Sequence, residues 1–466
     1  MKLKLILLLI LFGINAFSQG QAPAFTLPNY SPKSPEAATF LQYGEYPVNL
    51  STGATNISIP IYEIAVNGYK LPITLDYHAS GIKVSQEASW VGLGWNLNFG
   101  ATIVLNVKED VDENNSQIDN MPNLNTIMSY YQDHPYQVNG GLIATQELDK
   151  PRVKDTYFFS SPTASGEFYI KNASTNPSEI VVYPPDAFKV EAISGALDVP
   201  SGGRSRFKIT DSSGNVYIFR TTERTKYQNY GQMYNQGEFS SIWYVDEIRT
   251  STNNIINFAY EDDGITDEYV TSQKLDVKET GENCNCGFPD EVHNQLIMPL
   301  TTMGNHSYTY IKRIKEIAFN NGTSKVVFNR LNNREDFKSG YNSNLAKNYC
   351  TSYLKTIEIR QKNGQGTFQF VRGFDLTHDY FNSNSSTNNY NEKRLKLIGV
   401  KDMMTDEGHS FTYSDTPLPP KDSFSKDLYG YFNGANNGNL IIPYTILDPY
   451  TVTVGSANRN VNGNFA

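Results

Sequence analysis

Cys284, Cys286 and Cys350, with His293 close to the first two, are the residues whose types and spacing first suggest chemistry. Thiolate and imidazole are the ligands of structural zinc, but such a site needs further ligands at matching spacing, and only His293 stands near the pair. Cys284-Asn285-Cys286 is too tight for a relaxed local bridge, and with three cysteines one must be left over. A bond from one of the pair to Cys350 suits an oxidising compartment, and free thiols are the alternative. Such low cysteine usage excludes a disulfide-stapled miniprotein. The six histidines (His78, His134, His293, His306, His378 and His409) contain no His-Glu-x-x-His pair. No Gly-x-Ser-x-Gly nucleophile elbow occurs either.

Gly92 and Gly94 lie between Trp90 and Trp95 in SWVGLGWNLNFG. A phosphate-cradling loop would need the third glycine of the dinucleotide fingerprint and a helix pattern after it, and both are missing. The packing reading places the two glycines on one face of a strand, where another backbone or a ring can approach closely. KEDVDENNSQ (residues 108–117) offers carboxylates for calcium, yet the calcium-loop spacing and its central glycine are absent. A glycosidase pair can always be nominated among 48 acidic residues, so their number gives that chemistry no specific support. The residues therefore imply no enzyme, no cofactor and no metal.

The elements that must position these residues read as strands. Leu71, Ile73, Leu75 and Tyr77 alternate with Pro72, Thr74, Asp76 and His78, a period of two with one buried face. Asn67-Gly68 stands between this run and Ile64–Val66 and marks a type I′ hairpin, because both residues tolerate positive φ. Ile57, Ile59 and Ile61 form another alternating strand, and Pro60 puts it at an edge. His78 falls on the polar face. Further strands lie at Thr156–Phe159, at Glu167–Ile170, and at Phe207–Ile209 paired with Val216–Phe219.

A unit then recurs: a strand ending in isoleucine, a turn, and a strand ending in aromatics. Its markers are Ile248, Ile314, Ile357 and Ile398, with turns at Asn253-Asn254, Asn321-Gly322, Asn363-Gly364 and Glu407-Gly408. Such hairpins bury their faces mainly against their neighbours. The one helical pattern is Leu124, Ile127, Met128 and Tyr131, inside the polar insertion. The fold class is thus all-β: serial antiparallel hairpins forming sandwich or extended sheet layers, with one small helix in an insertion. The expected segments are a signal peptide at 1–18, an N-terminal β domain at 19–110 and the polar insertion at 111–152. A second β region at 153–270, a Cys-containing loop at 271–305, a hairpin-repeat region at 306–415 and a Pro/Gly/Asn-rich tail at 416–466 follow.

The first residues bear on compartment. Lys2 and Lys4 precede an apolar run, Leu5–Phe12, and Ala16-Phe17-Ser18 fits a small-x-small cleavage site before Gln19. The run is shorter than the roughly 20 apolar residues needed to span a bilayer. A net charge of −9 argues against nucleic acid, which requires a basic stripe. Tyrosine and phenylalanine are abundant, at 31 and 25, and suit strands; a sugar-stacking surface is the rival reading.

Three stretches together resemble a known family. They are YKLPITLDYHASGIKVSQEASWVGLGWNLNFGA (Tyr69–Ala101), the repeated YLKTI-type hairpins, and KDSFSKDLYGYFNGANNGNLIIP (Lys421–Pro443). They are similar to the N-terminal region of the large RHS/YD-repeat proteins secreted by Bacteroidetes, across most of residues 34–443. The family's Trp-Val-Gly-Leu-Gly-Trp block matches Trp90, Gly92, Gly94 and Trp95, and its Gly-Tyr-Phe-Asn-Gly block matches Gly430, Tyr431 and Gly434. In that family many YD repeats, a core segment and a variable C-terminal module, often a toxin, follow these blocks. Their absence here implies a truncated or split member, or a scaffold working alone, and no toxin activity carries over.

The resemblance implies a non-catalytic module of an exported surface protein, used for display, contact or delivery. Its implied partners are cell-surface components, glycans or a separately encoded repeat or toxin chain. A secreted carbohydrate-binding protein is the alternative, and a glycan-active hydrolase ranks below it.

Overall fold

The structure is a computed structural model that describes residues 56–78, 81–107, 154–170, 179–193, 206–229, 238–275, 278–280, 295–297, 300–382, 389–446 and 452–457. The expected leader, the polar insertion with the helix expected there, and Cys284, Cys286, His134 and His293 lie outside these residues.

Alternation sets the first hairpin. β1 (Asn56–Val66) and β2 (Tyr69–His78) pair antiparallel from Asn56↔His78 to Val66↔Tyr69, and Leu71, Ile73 and Leu75 are fully buried. A bulge at Ile61 re-phases β1, so that Ile59 faces inward before it and Ile64 and Val66 after it, with Ile61 itself buried. Among the described residues β1 has no second neighbour, which accommodates its proline. Asn67 and Gly68 take φ of 44° and 91°, the mirror-image turn expected of Asn-Gly. A Cβ on Gly68 would meet nothing within 4 Å, so Gly68→Ala tests conformation alone. It should cost about 1 kcal/mol in urea unfolding, from the positive φ.

β3 (Trp95–Asn98) completes a three-stranded sheet on β2. β4 (Thr102–Asn106) enters a larger sheet of fifteen strands, in which β5 (Thr156–Ser160), β6 (Ser165–Ile170) and β7 (Ile180–Tyr183) follow as neighbours. β8 (Phe188–Ala192) pairs with β9 (Phe207–Asp211), which pairs with β10 (Val216–Asn229). β11 (Phe239–Arg249) pairs with β10, with β4 and with β12 (Ile255–Leu275). β13 (Lys278–Thr280) and β14 (Gln295–Ile297) pair with each other, and β15 (Leu300–Phe319) then pairs with both β12 and β10. The pairings β10–β11–β12–β15–β10 form a closed cycle, which leaves no free edge between these four strands.

β12 and β15 stay paired from Asn257↔Ala318 to Leu275↔Leu300. The Cys-bearing loop is therefore shorter than the expected 271–305, because strand structure runs into it from both sides.

Beyond β15 the chain is a meander. β16 (Ser324–Leu331) leads past a small pair, β17 (Tyr341–Asn342) and β18 (Lys347–Asn348), to β19 (Tyr353–Lys362). β20 (Phe368–Asn382), β21 (Lys393–Asp402) and β22 (Gly408–Ser410) follow in spatial order. β23 (Tyr444–Ile446) and β24 (Val452–Val454) form a last hairpin. Among the described residues the helical content is one 3-10 turn, Tyr390–Glu392. The protein is all-β and antiparallel.

The four recurring units are all hairpins. Ile248, Ile314 and Ile357 are buried, but Ile398 is half-buried. A bulge opposite Thr377 and His378 skips Ile398 in the register and turns Leu397 and Val400 inward instead. Aromatic rings fill the core between the strands: Tyr157 stacks on Phe168 at 4.9 Å, and Phe207 meets buried Trp243 edge-on at 5.4 Å.

Candidate functional site at the junction of the motif blocks

Gly92 and Gly94 do not sit in a strand. They take φ of 148° and 78° in a turn that ends where β3 starts, which corrects the expectation that they share a strand face. The close approach expected of them is present. A Cβ on Gly92 would lie 2.9 Å from the Leu397 backbone nitrogen, and one on Gly94 would lie 2.7 Å from the Tyr77 ring.

This turn plugs the ends of three strands. The Leu354 amide on β19 donates to the Trp90 carbonyl at 2.8 Å, and the Leu93 amide donates to the Leu395 carbonyl on β21 at 2.8 Å. His378 on β20 donates from Nε2 to the Val91 carbonyl at 2.9 Å, since a carbonyl only accepts. Within the turn the Ser89 hydroxyl accepts from the Val91 and Gly92 amides and donates to the Trp95 carbonyl. Trp95 lies 4.7 Å from the Phe411 ring and donates to the Tyr413 hydroxyl at 2.8 Å. The aromatics that close the last recurring unit thus hold the second tryptophan of the block.

Burial pushes the His378 imidazole down to about 4, so it is neutral in the folded chain at pH 7. A depressed pKa contributes stability that is present above the unfolded value of 6.5 and lost as pH falls through about 4. His378→Gln keeps a donor for Val91 and removes the titration, so its stability curve should be flatter between pH 6.5 and 4 in chemical denaturation. Glu87 works in the opposite sense. Burial raises it to about 7, against the opposing pull of Lys421, and its contribution is lost as pH rises from 4.5 through 7.

The second block closes over the first. Lys83 and Tyr431 form an antiparallel bridge, flanked by Val84 N–H to the Gly430 carbonyl at 3.0 Å and Phe432 N–H to the Ile82 carbonyl at 3.1 Å. The Asp427 carboxylate accepts from the Tyr429 and Tyr431 amides and shapes the turn that carries Gly430. Lys426 donates to the Thr271 carbonyl at 3.0 Å, and the Leu440 amide donates to the Gln273 side chain at 2.7 Å, tying the strap to β12. Gly434 follows on the exposed part of the strap.

Beneath the strap lies a knot of buried charge. Arg334 grips Asp336 in a two-pronged pair at 2.6 and 2.9 Å and donates to the Ala88 carbonyl. The Leu395 amide donates to the same Asp336 carboxylate at 2.8 Å. Burial works to raise Asp336, but the Arg334 charge and hydrogen bonds carry it below the usual carboxylate range. Arg394 donates to the Val84 and Pro419 carbonyls, and burial lowers it to about 10. Lys421 donates to Glu87 and to the Asp336 carbonyl, and burial lowers it too. Glu87 and Lys421 lie in the two blocks, but their spacing does not show that they meet each other, the Arg334–Asp336 pair and Arg394.

An open cleft of about 440 Å³ lies at the same junction. Its lining includes Lys83, Gln86, Glu87, Trp95, Asn96 and Tyr431, from both blocks.

Cys350 is a free, fully buried thiol away from the cleft. It donates to Asp263 at 2.8 Å, and Ser352 and Arg313 donate to the same carboxylate at 2.5 and 3.2 Å. A bulge of β12 between Asp262 and Ile265 delivers that carboxylate. Burial raises the Cys350 thiol against the pull of Arg313, which leaves it protonated and unreactive at neutral pH. Among the described residues no three His, Cys, Asp or Glu side chains gather as metal ligands.

No family model and no curated protein matches the sequence. Among solved structures the chain is similar to the TcdB2-TccC3 complex, with a TM-score of 0.34 and 11% identity over 78% of this chain and 16% of that one. For TcdB2-TccC3-Cdc42 the TM-score is 0.36 at 12% identity, over 77% of this chain and 16% of that one. For the Photorhabdus luminescens Tc holotoxin pore it is 0.35 at 12% identity, over 77% and 15%. The chain spans only about a sixth of the length of these proteins.

Proposed function

We propose that this chain is a non-catalytic structural and interaction module of an exported RHS/YD-repeat-type protein, serving display, contact or delivery at the cell surface. The observation that carries this reading is the meeting of the three resembling stretches at one junction. The tryptophan block plugs β19–β21, the recurring hairpins hold it, and the Gly-Tyr-Phe block straps it down. Residues shared with the family thus have roles in closing a scaffold. A rigid closure asks for glycines in tight contact, buried ion pairs and bridged backbones, and these are what the junction contains.

Among the described residues the cleft between the blocks is lined by one carboxylate, Glu87, whereas glycoside hydrolysis by the common route uses two flanking the scissile bond. That composition supports binding over turnover. Export is part of the proposal and rests on the basic start, the apolar run and the small-x-small site before Gln19.

Fractionation of expressing cells, with mass spectrometry of the mature N-terminus, tests the reading. A chain beginning at Gln19 outside the inner membrane is the expected result. A cytoplasmic chain that retains Met1 would overturn the proposed location.

A further inference from the structure

The cleft at the junction is more than a gap between two packed blocks. Glu87 reaches it from behind, with one carboxylate oxygen held by Lys421. Lys83 lies at the opening with its ammonium 5.7 Å from the centre of the half-buried Tyr431 ring. Gln86 and Asn96 bring amides; the Gln86 oxygen accepts from the Lys83 amide at 3.1 Å, which leaves the Gln86 nitrogen as a donor. The cleft therefore holds one ammonium, one carboxylate, two amides, the His78 imidazole, the Ser89 hydroxyl and two aromatic side chains, Trp95 and Tyr431.

We propose that this cleft binds a neutral, polyhydroxylated ligand, one or two hexose units of a glycan. Lys421 already pairs with Glu87, and Lys83 stands over the Tyr431 ring, so neither charge is left to select a ligand of one sign. Hydroxyl groups both donate and accept, so they satisfy a carboxylate, an ammonium and two amides together without bringing a charge of their own. The apolar face of a sugar ring matches the Tyr431 ring, whose amphipathic character suits a partly wet wall. A cleft of about 440 Å³ accommodates a ligand of this size and falls within the range of small-molecule sites. This inference is independent of export and of scaffolding, since it rests only on the chemistry of the lining.

Ligand-observed NMR of the full mature chain with glucose, galactose, mannose and their disaccharides tests it, with glycine and lysine as charged probes. Tyr431→Ala and Asn96→Ala should each weaken sugar binding about tenfold, the loss of one well-made contact. Tyr429→Ala, at an exposed residue of the strap that does not line the cleft, should bind as the parent does. Thermal melts of all three variants separate lost binding from lost folding. A folded chain that binds none of the sugars, that prefers the amino acids, or whose sugar binding survives both cleft substitutions overturns the proposal.

Discussion

Gly92→Ala should destabilise the protein by about 3–5 kcal/mol, the sum of a strained φ and an overpacked contact. Gly92 holds φ of 148°, and its added methyl would stand 2.9 Å from the Leu397 backbone nitrogen and 3.2 Å from the Leu397 Cβ. Neither neighbour can yield easily, because Leu397 is fully buried on β21, between β20 and β22. Relief requires the plug to lift, which breaks the bond from Leu93 to Leu395 and pulls Trp90 from Leu354. Equilibrium urea unfolding would read the loss directly. Gly68→Ala is the internal control, since that position also has positive φ but open space around it.

Asp336→Asn should cost about 3–5 kcal/mol, the usual result of removing one partner of a buried ion pair. The Arg334 and Asp336 side chains are completely buried, so the substitution leaves a guanidinium without its counter-charge. It also turns a donor toward either Arg334 or the Leu395 amide, both of which donate. Glu87→Gln is the contrast. Burial already raises that carboxyl to about 7, so much of it is neutral near pH 7, and the amide oxygen still accepts from Lys421. A loss under about 1 kcal/mol is expected there, comparable to one ordinary hydrogen bond. Differential scanning calorimetry of the two variants at pH 7 checks the ordering.

Much of the fold is written in local patterns. The period of two in β2, the Asn-Gly turn before it and the four recurring hairpins depend on neighbours within about ten residues, and a reader of sequence can follow each. Pro60 announced an edge for the same reason. Ile398 shows where local reading stops. One bulge opposite it shifts the phase, and no feature of Arg394–Ile398 itself reveals that.

The closed cycle of β10, β11, β12 and β15 was not legible, because it is set by pairings such as Arg224↔Tyr310 between distant segments. The junction was half legible. Tryptophans and glycines at two-residue spacing signal close packing, and Gly92 and Gly94 do pack closely. Their partners, Leu397 and Tyr77, could not be named from spacing. The spacing of Arg334, Asp336 and Lys421 gives no sign that they are buried, and only the folded chain brings them together with Glu87 and Arg394.

The two motif blocks lock onto each other across the chain, and the scaffold role depends on that closure. Lys83 and Tyr431 face one another as an antiparallel pair whose flanking amides, not their own, make the hydrogen bonds. Such positions have Cα atoms about 4.5 Å apart, within reach of a disulfide. The measurement is therefore oxidation of the double variant Lys83→Cys and Tyr431→Cys, followed by mass spectrometry of the cross-linked peptides. A bond between positions 83 and 431 is expected in the folded chain, and it is lost when denaturant is added before oxidation. Two free thiols at these positions in a natively folded, oxidised sample would contradict it.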